Sequence, residues 1–202
     1  MGLTLHYRGR FKAQAALPEM IAEVKNIAEV NSWRYTIFNE EFPEPELQSN
    51  PIQETLYGMI MNIPQCEPVF LCFASDLHLV NPVWLEPASQ GQLEDQEMLY
   101  LVFTKTQYAG AEIHKKIVHL LKYISQKYFD DFIVADDGQY WETGDPLILD
   151  QQFKQYNQYL SAVQTSIGSM PASVNESPDE LVNRIVQLLK NNPDFKGLDE
   201  EK

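Results

Sequence analysis

Between Tyr108 and Trp141 the chain lays out a long amphipathic helix, then a short apolar strand and an acidic, aromatic turn, and this order limits what can be built around it. Ile113, Ile117, Leu120, Leu121, Ile124 and Tyr128 recur at spacings of three and four, so they form one apolar stripe. Lys115, His119, Lys122 and Gln126 fall on the far side. A helix with such a stripe must cover something, and the β-rich segments beside it supply a sheet.

Those segments read in order as follows. Leu3 to Phe11 alternates apolar with polar residues and predicts a strand. Pro18 to Asn31 predicts a helix, with Pro18 in the first turn, where its missing N–H costs nothing. Arg34 to Phe42, Leu56 to Ile63, Val69 to Ala74, Met98 to Thr104 and Asp131 to Ala135 predict strands, and the proline-rich stretch from Phe42 to Pro51 and the polar Gly91 to Gln96 predict loops. Val69 to Ala74 and Met98 to Thr104 are apolar on both faces, so each requires cover on both sides or the lining of a cavity. Phe153, Tyr156, Leu160, Val163 and Ile167 mark a further helix closed by Gly168. Ser177-Pro178-Asp179-Glu180 combines an N-cap serine, a first-turn proline and a glutamate placed to reach back, which starts a last helix.

The expected class is α+β, an antiparallel sheet covered by the long amphipathic helix, with additional C-terminal helices. The expected organisation is a single domain over 1–168, a linker over 169–177, an appended helix over 178–192 and a frayed tail over 193–202. Up to the long helix the β-α-β4-α order resembles TATA-binding-protein-like folds and the helix-grip fold with its ligand cavity, a similarity that carries no function by itself.

Charge supplies the one unusual compositional constraint: 29 Asp and Glu face 15 Lys and Arg, a formal net charge of −14. Such a surface repels nucleic acid and anionic lipid and attracts basic partners. No run approaches the ~20 apolar residues of a membrane span, and the N-terminal residues lack the apolar core of a secretory signal, so the expected location is cytoplasmic. Cys66 and Cys72 suit a reducing compartment and give no zinc spacing.

Asp136-Asp137-Gly138-Gln139-Tyr140-Trp141-Glu142-Thr143-Gly144-Asp145 is the most site-like stretch. Its adjacent aspartates do not alternate as a calcium loop requires, so it reads either as a tight Asp-Gly turn or as a polar rim, Asp136, Asp137 and Glu142, around an aromatic anchor, Tyr140 and Trp141. Asp137 with Glu142 as a glycosidase pair would need a fixed carboxyl separation that sequence does not give. Asp76 and His78 share a strand face and could bind together or act as an acid–base pair, against the plainer alternative of a turn residue beside an exposed imidazole. His114 and His119 point about 140° apart on a helix, His114 on the flank of the stripe and His119 in water, which gives no shared metal. Cys72 reads as core, and Cys66 with His78 lacks a third orienting residue. The lysines Lys105, Lys115, Lys116, Lys122 and Lys127 make the helix region locally basic, as a solvated face paired with carboxylates would be. No phosphate-cradling glycine loop, zincin pattern or nucleophile elbow occurs, so no cofactor and no metal is expected.

At Leu5-His6-Tyr7-Arg8-Gly9-Arg10, Thr104 to Gly110, His114-Lys115-Lys116 and Gly138 to Gly144 the chain resembles an uncharacterised bacterial protein family. The resemblance implies one continuous domain to about Ile167 and no catalytic residue. Three functional expectations follow. The first is a non-catalytic interaction protein, of the inhibitor or immunity kind, whose acidic face meets a basic protein partner. The alternatives are a binder of apolar small molecules in a cavity between the long helix and the two-sided strands, and a carboxylate-dependent hydrolase using the acidic turn. Neither nucleic acid nor membrane is an expected partner, and oligomeric state is open.

Overall fold

The computed structural model describes residues 2–42 and 55–168, together with 177, 180, 182–184, 186 and 187. The chain divides into two compact units, Met1–Leu149 and Asp150–Lys202. The fold is α+β, and within the first unit the strands form two antiparallel three-stranded sheets. One holds β5 (Val102–Lys105), β1 (Thr4–Phe11) and β6 (Phe129–Asp136) in that order, and the other holds β2 (Arg34–Ile37), β3 (Tyr57–Asn62) and β4 (Val69–Phe73).

The division into two sheets has a local cause in β1. Its first half pairs with β5, from Thr4 opposite Lys105 to Tyr7 opposite Val102. Beyond Tyr7 the same edge is taken by the turn after β4. There the Leu79 N–H donates to the Gly9 carbonyl (2.9 Å) and the Phe11 N–H donates to the Leu77 carbonyl (2.8 Å). The turn also returns to β4, since the Ala74 N–H donates to the His78 carbonyl and the Val80 N–H to the Cys72 carbonyl. Residues 77–80 therefore stitch one sheet to the other.

Helices α1 (Leu17–Val30) and α3 (Ala111–Tyr128) lie together on the sheets, and their contacts run antiparallel. Lys116 near the start of α3 donates to Asn31 just past the end of α1, while Lys127 at the end of α3 reaches Glu19 and Glu23 near the start of α1. The apolar stripe faces inward as its spacing requires, with Ile117, Leu120, Leu121, Ile124 and Tyr128 all buried. Beneath it the Phe11 ring meets Phe73 at 5.2 Å, Phe129 at 5.9 Å and Tyr128 at 6.0 Å, so the chain's own rings fill this space. Gly58, at φ +95° and with the Leu71 carbonyl where a Cβ would stand, allows β3 to bend against β4.

The apolar two-sided strand β4 is covered on its other side by residues 82–101. Cys72 and Ala74 pack there with Val80, Leu85, Ala88 and Leu99. One expectation, the strand from Met98, changes in this region. The polar stretch before Met98 is preceded by a short helix, α2 (Leu85–Ser89), and Gln96–Tyr100 is a 3-10 turn, so the strand begins only at Val102. The Asp95 carboxylate accepts the Glu97 N–H and starts that turn, which drives Leu99 into the core and leaves Met98 outside.

Further along, α4 (Tyr140–Thr143) closes the first unit, and α5 (Pro146–Gly168) begins there and runs into the second. In the second unit the Ser177 N–H donates to Glu180 and the Glu180 N–H donates back to the Ser177 hydroxyl, the reciprocal cap expected of that motif. The expected loop over 43–51, the linker over 169–176 and the tail over 193–202 lie outside the described residues, as does most of the helix expected over 178–192. Because Phe11 is fully buried among four other rings, Phe11→Ala is expected to cost about 3–5 kcal/mol, measured as a lowered midpoint in urea unfolding.

Candidate functional site

The acidic turn after β6 is turned inward. Phe132, Val134 and Asp136 alternate onto the inner side of β6, which brings the Asp136 side chain out of contact with water. Its Oδ1 accepts the Gly138 N–H at 2.7 Å, and its Oδ2 accepts the Tyr140 and Trp141 N–H groups, each at 2.9 Å. His114 Nε2 lies 3.1 Å from the same Oδ2, and His114 Nδ1 lies 2.8 Å from the Thr106 hydroxyl. Burial alone would raise the Asp136 pKa, but the hydrogen bond and charge of His114 and the backbone N–H groups outweigh it and hold the carboxyl below its ordinary range. Asp136 is therefore ionised, and Nε2–H of His114 is the donor to it. His114 is not on the flank of the helix stripe but fully buried, and Gly138 is the residue that permits this, since a Cβ there would stand 3.0 Å from the imidazole.

A hydroxyl, an imidazole and a carboxylate in line have the parts of a nucleophilic triad. Here all three side chains are shut off from solvent, and the carboxylate is saturated by backbone donors. The arrangement acts on the chain itself: it holds the turn against α3 and the end of β5. The other residues of the turn disperse. Asp137 is exposed and accepts the Thr4 N–H, Tyr140 is buried with its hydroxyl 3.2 Å from His119 Nε2, and Glu142 is exposed. Trp141 is half-buried against Phe132, with the Lys122 ammonium 5.4 Å above its ring.

Asp76 and His78 lie elsewhere, in the turn that joins the sheets. The Asp76 carboxylate accepts the His78 N–H at 3.1 Å, an Asx turn, and a second oxygen lies 3.1 Å from His78 Nδ1 but off the ring's N–H direction, so that contact is an ion pair rather than an aligned hydrogen bond. The Asp76 carboxylate raises the His78 pKa, against the opposing effects of burial and of Arg10, while Asp131 adds to the rise. His78 bridges to Arg10, which pairs with Asp131, five positions before Asp136 on β6, so the two expected groups of site residues are separated by roughly 16 Å of strand. Cys66 is also remote from His78; it donates to the Lys105 carbonyl, and burial pushes its thiol up to about 12.

His78 forms one wall of a cleft of about 440 Å³ on the outer side of the β5-β1-β6 sheet. Arg8 and Asp131 come from β1 and β6, and Asp95 and Glu97 come from the 3-10 turn opposite. The apolar lining is Leu79, Met98, Leu101 and Ile133, of which Met98, Leu101 and Ile133 are 37%, 45% and 55% exposed. Sequence reasoning reached only His78 of this set, because the others are contributed by β1, β6 and the 95–101 segment and meet only through sheet pairing. Among the described residues no group of three or more His, Cys, Asp or Glu side chains could hold a metal ion, and no described helix is long and apolar enough to cross a membrane. Comparison with family models, with curated proteins and with solved structures gives no match.

Two measurements test the electrostatics. Since the folded pKa of Asp136 is depressed, its contribution to stability is present above the unfolded value of about 3.9 and is lost as pH falls through the folded value. Asp136→Asn is expected to cost about 3 kcal/mol at neutral pH and to flatten the acid limb of the stability–pH curve, measured by urea unfolding. For His78 the sign is opposite: its folded pKa is raised, so the contribution is complete below about 6.5 and is lost as pH rises through the folded value. Titration of the His78 ring by NMR is expected above the ordinary histidine range, and Asp76→Asn, which keeps the turn's acceptor, is expected to lower it.

Proposed function

We propose that the protein is a non-catalytic interaction module that receives cationic side chains of a basic protein partner in the cleft between β1, β6 and the 95–101 segment. The charge of the cleft carries this reading. Asp95, Glu97 and Asp131 face one arginine, Arg8, and among the described residues Asp95 and Glu97 make no ion pair. Some carboxylates outside the cleft are met, with Lys127 holding Glu19 and Glu23, Lys105 holding Glu67 and Lys25 holding Glu29, so what sets the cleft apart is that its unpaired carboxylates converge on one concave, partly apolar surface. The cleft thus combines unneutralised negative charge with an exposed apolar floor. Desolvating a Lys or Arg stem on Leu101 and Met98 while its head meets carboxylates uses both properties.

The net charge of −14 supports the same reading from a longer range, because it speeds encounter with a cationic partner and weakens as salt rises. The interior under α3 is filled by aromatic rings, so the cleft, rather than a cavity beneath the helix, is the place this reading uses.

The test is titration with a short polylysine peptide at low and at high ionic strength. Asp95→Asn, Glu97→Gln and Asp131→Asn together keep the turn acceptor and the bond to the Arg10 N–H, and are expected to weaken binding by about tenfold or more and to reduce its salt dependence. Neutralising Glu40, Glu41 and Glu142, which are exposed and outside the cleft, is expected to change affinity much less. Equal weakening by both sets would reduce the effect to net charge and remove the cleft from the account.

A further inference from the structure

The cleft shares Asp131 and Ile133 with β6, and β6 is an edge strand among the described residues. Its hydrogen-bonding parity can be assigned from the neighbours of β1. On the side of β1 away from β6, the Gly9 carbonyl accepts the Leu79 N–H and the Phe11 N–H goes to the Leu77 carbonyl. On the side toward β6, the Thr4 carbonyl accepts the Asp137 N–H and the Arg10 N–H goes to the Asp131 carboxylate. Even-numbered residues of β1 therefore bond to β6, and by the register, Arg8 opposite Ile133 and His6 opposite Ala135, the backbone of Ile133 and Ala135 points to β1. The N–H and C=O groups of Phe132 and Val134 point the other way. Among the described residues of the first unit none bonds to them.

An open edge of this kind is a template for another strand, and native proteins usually blunt it. At its start β6 is blunted: the pairing slips between Arg10 and Phe11, and Asp130 and Asp131 follow there. From Phe132 to Ala135 it carries no charge and no proline. Its outer face offers Ile133, 55% exposed, and its inner face offers Phe132, half-buried beside the half-buried Trp141 at 6.0 Å.

We propose that the partner docks by strand addition: an extended basic segment pairs with the Phe132 and Val134 edge of β6, placing a Lys or Arg beside Asp131 and an apolar residue beside Ile133. The proposal rests on the cleft reading above and specifies the shape of the partner. Alternation follows from the pleat, because side chains two apart on the added strand share the face of Asp131 and Ile133. Charge selects the occupant. A second copy in antiparallel register would set Asp130 and Asp131 of one chain beside the Asp136-Asp137 end of the other, between molecules that each carry −14. A basic segment meets the same carboxylates with opposite charge.

The experiment is amide hydrogen exchange and binding, on the full chain, with a short synthetic peptide of alternating lysine and valine. Phe132 and Val134 amides are expected to exchange rapidly in the free protein and to become protected when the peptide is bound. Val134→Pro removes an outward N–H and no bond to β1, and is expected to weaken the peptide by about tenfold or more. Ile133→Lys, at an exposed position, serves as a second variant and is expected to weaken it as well. Peptide binding without protection of the two amides overturns the proposal, as does protection that grows with protein concentration in the absence of peptide, which would make a second copy the occupant. The two readings separate cleanly: if neutralising Asp95, Glu97 and Asp131 abolishes polylysine binding while the edge amides stay unprotected by the alternating peptide, strand addition fails and the cleft stands. If the edge is protected while those substitutions change nothing, the cleft fails.

Discussion

A desolvated carboxylate fixes one end of this fold. Taking Asp136 out of water would cost several kcal/mol if it were left unpaired, and the chain answers with an imidazole and three backbone N–H groups. Each donor belongs to a different need of the structure. His114 ties the start of α3, Gly138 closes the turn after β6, and Tyr140 and Trp141 begin α4. Thr106, bonded to His114 and to the Leu3 carbonyl, brings in the end of β5 and the chain before β1. With Asp137 bonded to both polar groups of the Thr4 backbone, β1 is held at this end between two partners and cannot slip without stranding a buried charge.

What is fixed at one end allows an exchange at the other. Past Tyr7, β1 leaves β5 and takes up residues 77–79, while it keeps β6 as far as Phe11. The loss of β5 there opens space over the outer side of the sheet, and the 95–101 segment leads back to β5 across it. The cleft is the gap that remains. Its carboxylates, its imidazole and its apolar floor come from three separate stretches of chain, and β1 adds Arg8, so the cleft is set apart from the turn that looked most like a site.

Much of the architecture was legible where one periodicity dominated. The stripe from Ile117 to Tyr128 and the alternation from Leu3 to Tyr7 translate directly into buried faces. Gln96–Tyr100 was not, because Met98, Leu99 and Leu101 are apolar whatever the backbone does. Asp95 two residues before Glu97 was the signal for a capped turn. The inward fate of the acidic turn was also encoded. His114 stands three before Ile117 and seven before Leu121, in phase with the stripe, and Asp136 continues the inward alternation of Phe132 and Val134. Two polar residues in apolar phase, on elements that meet, are a better sign of a buried pair than of a surface site. The cleft itself had no comparable signal, since it depends on which strands pair.

Charge is paired differently along the α1–α3 seam and in the cleft. The lysines that make α3 locally basic are turned to structural use: Lys127 binds Glu19 and Glu23 on α1, Lys115 binds Glu112, and Lys122 lies over Trp141. Hydrogen bonds from Lys127 hold Glu23 below the ordinary glutamate range, with Tyr128 and Tyr123 acting in the same direction against burial. Such exposed pairs add little stability each, but they offset part of the negative charge along the seam between α1 and α3. Asp95 and Glu97 have no such neighbour, and Asp131 gives one oxygen to a backbone N–H. A field left uncompensated beside exposed apolar side chains is costly to solvate only in part, and a cation on an aliphatic stem is the chemistry that relieves both the charge and the apolar surface at once.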